Sequence, residues 1–202
     1  MSIKYANNNS LSAITTKPSG LSGGALNLIS TQTASSSSTI SFTSGIDDTY
    51  DSYVFKFYDI HPNSNSSFTF NFSTDGGSNY ATTKTTTFFD AFHNEQDTGA
   101  NIFYETGIDQ AQSTAFQTLG SVGNANDETM SGMLQIFNPS STTFVKHFLA
   151  RVNKYFPSGG ENYTGDVFVA GYGNTTSAIN AVQFKMSSGN IDSGVIKLYG
   201  VS

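Results

Sequence analysis

SSFTFNFSTDGGSNY, residues 66–80, is the stretch from which the class of fold is read. Phe68, Phe70 and Phe72 alternate with Thr69 and Asn71, the period-two pattern of a strand with one dry face and one wet face. Asp75-Gly76-Gly77 then supplies the positive φ angles of a tight reversal, and Tyr80 begins another extended run. The expectation is a β-hairpin in a packed sheet, with each phenylalanine contributing roughly 1.5–3 kcal/mol on burial.

Working outward, the chain repeats this grammar: short runs rich in β-branched and aromatic residues, each bounded by Gly, Asn, Asp, Ser or Pro. Strands are expected near 25–32, 38–43, 52–60, 67–73, 80–89, 101–105, 115–120, 129–137, 143–152, 166–172, 178–186 and 194–201. Alternation is clean near the end, where Val182, Phe184 and Met186 share one face and Gln183 and Lys185 the other. One short helix is allowed in IDQAQSTAFQTL, 108–119, where Ile108, Ala111, Ala115 and Leu119 fall at helical spacing. Segments 58–72 and 134–148 both run strand, Pro with Asn and Ser, strand, and a weak internal repeat is one reading of them; ordinary turn chemistry is the other. Short strands at regular intervals predict an all-β protein, an antiparallel β-sandwich of jelly-roll-like type. Residues 1–24, punctuated by Pro18, Gly20, Gly23 and Gly24, read as an extended N-terminal arm, and 25–202 as a single sandwich domain.

Composition narrows the function. Of 202 residues, 37% are hydrophobic and 17 are Phe, enough apolar surface for one core. Only 12% are charged, with a net charge of −6 and nine Lys and Arg scattered along the chain, so no basic surface is available for nucleic acid. The absence of Cys excludes disulfides and thiolate chemistry. MSIKYANNNS has no apolar core of signal-peptide length, and no run approaches the roughly eighteen apolar residues of a membrane span. A protein made in the cytoplasm with no membrane partner is expected.

Candidates for chemistry are sparse. His61 and His147 read as structural, without nucleophile partners or ligand spacing around them. In DAFHNEQD, alternation in an extended segment would bring His93, Glu95 and Asp97 to one face as candidate metal ligands, although their spacing matches no zinc or calcium pattern; the competing reading is a polar hairpin loop. No nucleophile elbow or phosphate loop is present, so no enzyme and no cofactor are expected. Tyr163 and Tyr172, near strand ends, are the candidate contacts for a glycan, in competition with a role in filling the sandwich rim. In the arm, Ile3, Tyr5, Leu11, Ile14 and Leu21 are too dispersed for a core of their own, and an assembly role is expected for them.

Taken together, LNLISTQTASSSSTISFTSGIDDTYDSYVFKFYDIHP (26–62), STDGGSNY (73–80), NPSSTTFVKHF (138–148) and FKMSSGNIDSGVIKLYG (184–200) resemble the Ser/Thr/Asn-rich virion structural proteins of tailed bacteriophages, marine ones especially. The resemblance implies a non-enzymatic virion component, a capsid decoration or cement protein or a fibre subunit, made in the host bacterial cytoplasm. It also implies contact with other capsid or tail proteins and a homo-oligomer, with a trimer as the implied number. The alternative is a carbohydrate-binding module at a fibre tip that meets a host-surface glycan. No functional residue carries over from the resemblance.

Overall fold

Twelve strands follow the punctuation of the sequence: β1 (Leu26–Thr33), β2 (Ile40–Phe42), β3 (Ser52–Pro62), β4 (Ser66–Ser73), β5 (Lys84–Asn94), β6 (Ala100–Tyr104), β7 (Gln117–Val122), β8 (Met130–Phe137), β9 (Lys146–Ser158), β10 (Glu161–Gly173), β11 (Ala181–Met186) and β12 (Ile191–Val201). The computed structural model describes residues 25–201, so the arm expected at 1–24 and its Ile3, Tyr5, Leu11, Ile14 and Leu21 lie outside the described residues. Two antiparallel sheets pack face to face: eight strands in the order β1-β12-β3-β8-β9-β10-β5-β6, and four in the order β2-β11-β4-β7. The fold is therefore all-β and of sandwich type.

The core is phenylalanine from both sheets. Phe68, Phe70 and Phe72 are fully buried, and the ring of Phe184 lies 5.2 Å from Phe55 and from Phe57 on the opposite sheet and 5.6 Å from Phe68 on its own. Phe70 and Phe72 meet Phe148 edge-on at 5.3 and 5.5 Å. Apart from the stacked Phe68–Phe184 pair these contacts are edge-to-face, which adds a directional preference to plain area burial where the two sheets interdigitate.

Four expectations need correction. The segment around Asp75-Gly76-Gly77 is no hairpin: β4 belongs to the four-stranded sheet and β5 to the eight-stranded one, so residues 74–83 carry the chain across the sandwich. The outer side of β4 is not wet, since Thr69 and Asn71 are buried. Asn71 donates to the carbonyls of Tyr80 (2.8 Å) and Thr114 (2.9 Å), so two loops cover it. The stretch 108–119 forms no helix, because its end enters β7 and its middle is held by backbone bonds between Lys84 and Ser113. The weak repeat does not describe equivalent units: the first Pro-containing turn passes from one sheet to the other, while the second joins neighbours in one sheet.

The strands β9 and β10 run longer than expected. Their turn places Gly159 (φ 62°) and Gly160 (φ 85°) between the paired Ser158 and Glu161, the two-residue hairpin geometry that needs two positive φ angles. Pro157 does not break the ladder. Tyr155 donates its N–H to Thr129 on the β8 side, and Pro157 faces the same side beyond the last β8 partner, Lys154.

Candidate functional site

The outer face of the eight-stranded sheet is built by strict alternation. On β9, Phe148, Ala150 and Val152 turn inward while His147, Leu149, Arg151 and Asn153 turn outward. Register then aligns Tyr104, Phe89 and Phe168 in one row across β6, β5 and β10, and continues it through Arg151 on β9 to Met133 on β8. Phe168, Leu149 and Met133 are 41–44% exposed, high for side chains of this size. Arg151 lies on this face in a two-nitrogen clasp on Asp166 (2.6–3.1 Å), which holds the Arg151 proton more firmly than usual. An exposed aromatic and aliphatic row with one charge pair in it is a candidate contact surface.

Beside this row is a shallow groove of about 420 Å³ lined by Thr85–Thr87, Phe137, His147–Leu149 and Ala170–Tyr172. Tyr172 stands here, with the His147 ring 6.3 Å away and the Gln112 amide at 3.5 Å from its hydroxyl. Tyr163 is elsewhere. Nine residues earlier on the same strand, it points to the opposite face, stacked on Phe156 at 5.2 Å and meeting Phe92 at 5.5 Å. Its hydroxyl donates to Glu161, which raises its pKa. The two tyrosines thus cannot line one sugar site.

His93, Glu95 and Asp97 are not brought together as a ligand set. Alternation stops at Asn94, which accepts the N–H groups of Thr98 and Gly99 and folds 95–98 into a turn with Asp97 at φ 57°. His93 contacts Asp97 at 3.1 Å with both side chains exposed, and Glu95 instead accepts from Asn162. Among the described residues no group of three His, Cys, Asp or Glu side chains is placed to hold a metal ion. His61 rests its Nδ1 on the Glu128 carbonyl at 2.8 Å, a structural role.

Three buried lysines escaped the sequence reading. Lys84 and Lys146 pair with Gly173 from either side, so they occupy one row across β5, β10 and β9, and both are fully buried. Burial pushes the Lys84 amine down to about 7 and lowers that of Lys146. Lys84 donates to Asn71 Oδ1 (2.7 Å) and the Thr82 carbonyl (2.9 Å), and Lys146 to the Phe144 carbonyl (2.6 Å). At the far end of β9, Lys154 reaches Asp90 at 2.7 Å. The signal was the alternation itself: Lys146, Phe148, Ala150, Val152 and Lys154 share one parity.

No protein-family model matches the chain, and neither a curated protein nor a solved structure matches it.

Proposed function

We propose that this protein is a non-enzymatic structural subunit of a tailed-phage particle, a jelly-roll sandwich that decorates or cements the capsid or forms part of a fibre. The observation that carries the reading is strand order. With the hairpins β5–β6 and β9–β10 set aside, the remaining eight strands, renumbered in chain order, lie 1-8-3-6 in one sheet and 2-7-4-5 in the other. This order supports the jelly-roll reading, the double Greek key used by viral capsid and lectin domains. The two hairpins are then insertions that widen one sheet from four strands to eight.

Fold alone hosts many functions, so the site must add to it. The exposed row of Tyr104, Phe89, Phe168 and Met133 lies largely on the inserted hairpins, which gives the widened sheet a contact surface for another particle protein or another copy. The sequence resemblance to tailed-phage virion proteins favours the capsid or fibre use over the lectin use. In this reading residues 1–24 serve in assembly, and the copies form a homo-oligomer, a trimer by the same resemblance. Mass spectrometry of purified particles tests the proposal: peptides of this chain co-purify in stoichiometric amounts with the capsid or tail proteins. Abundance in infected cells together with absence from particles overturns it.

A further inference from the structure

At the other side of the sandwich, where the β9–β10 hairpin overhangs the small sheet, there is a cleft of about 460 Å³, within the roughly 300–1,000 Å³ of small-molecule sites. Its floor and rim are hydroxyls, Ser66 and Ser67 of β4, Ser121 of β7 and Ser187 just after β11. Glu128, Lys154 and Phe156 complete the lining.

Each charged group is built in. Glu128 is only 5% exposed and accepts the Ala125 N–H at 2.7 Å through Oε2. It fits because residue 123 is Gly: a Cβ there would lie 1.9 Å from Oε2. Lys154 lies across Gly165, where a Cβ would come within 2.6 Å of its Cε, and its ammonium reaches Asp90 on β5 while standing 5.0 Å from the centre of the Phe156 ring. An ammonium has three donors, and Asp90 Oδ2 takes one.

One polar atom of the cleft lining, Ser66 Oγ, is buried without a partner. Buried polar atoms without partners are uncommon, and one on the lining of a hydroxyl-rich cleft points to a ligand that supplies hydrogen bonds.

We infer that the cleft binds a neutral saccharide. A hydroxyl both gives and accepts hydrogen bonds, which matches serines, a carboxylate and an ammonium standing together, while Pro157 and Phe156 add apolar atoms to the lining for the C–H groups of a sugar. Glu128 and Asp90 outweigh Lys154 by one negative charge, which opposes an acidic ligand; Lys154 itself opposes an amine. This inference stands apart from the particle-subunit proposal, and either can fail alone.

The test is an amide NMR titration of the full chain with maltohexaose, cellohexaose and chitohexaose as neutral probes, an alginate oligomer as the acidic probe and spermine as the amine. A neutral hexasaccharide shifts the amides of Ser67, Ser121, Gly123 and Phe156, and Glu128→Gln, which keeps the side-chain shape, weakens it about tenfold, the usual value of a hydrogen bond to a charged group. Gly123→Ala, which expels the carboxylate from its seat, weakens binding equally while amides far from the cleft keep their positions. Cleft shifts with none of the neutral probes, binding by both variants as tight as by the wild-type chain, tighter binding of alginate or spermine, or shifts centred on Tyr172 instead each overturn the inference.

Discussion

Lys84 meets two oxygen acceptors, the number of N–H bonds in a neutral amine, so its charged form carries a third donor with nothing assigned to it. Its pKa in the fold is about 7 against an ordinary 10.5. Between those values the unfolded chain binds more protons than the folded one, so stability rises with pH across that window and the penalty is complete below it. From pH 7 to 9 the gain is roughly 2 kcal/mol. Urea unfolding at pH 7, 8 and 9 checks this, with Lys84→Met expected to remove most of the rise; a flat profile for the wild-type chain would refute it. Phe184 is the opposite case, an apolar residue whose ring meets Phe42, Phe55, Phe57 and Phe68. Phe184→Ala is expected to cost about 3–5 kcal/mol in the same experiment, from lost transfer energy and the cavity left behind. Phe184 was legible as core from alternation alone. Lys84 was not, because what lies above a strand residue depends on loops that arrive from elsewhere in the chain.

Between strands, β8 and β9 leave no room for a side chain at Gly132, where a Cβ would stand 2.3 Å from the Arg151 carbonyl oxygen and 2.7 Å from Val152 Cα. Backbone cannot swing aside as a side chain can. Gly132→Ala is therefore expected to separate the pair locally and cost about 1–3 kcal/mol, seen as a lower urea midpoint and faster amide exchange in β8. The existence of all twelve strands could be read from punctuation, since each run of apolar and β-branched residues ends at residues suited to turns. Their partners could not. Asp75-Gly76-Gly77 carries the residues of a hairpin turn, yet Asp75 binds Ser73 and Asn79 within the loop, holding its carboxyl down at about 2, and the chain departs for the other sheet. Gly159-Gly160 has the same local chemistry and does close a hairpin.

For the molecule as a whole, the outer face of the large sheet is the surface with the most to lose by a change of polarity. Phe168→Glu with Leu149→Lys is expected to leave folding stability within about 0.5 kcal/mol, as at other exposed sites, while abolishing sedimentation of the protein with purified particles. Unimpaired co-sedimentation would place the contact elsewhere. The sequence by itself determined the all-β class, the number of strands and the inward parity of Phe68, Phe70, Phe72 and Phe184, because alternation and turn residues act over a few neighbouring positions. Only the tertiary structure decided that eight strands join in one sheet and four in the other, that Tyr163 and Tyr172 face opposite ways, that His93 and Glu95 part company, and that Glu128 and Lys154 line one cleft. Those outcomes depend on pairing between segments as far apart as β3 and β12, and such pairing is governed by how whole faces pack rather than by anything written in either segment alone.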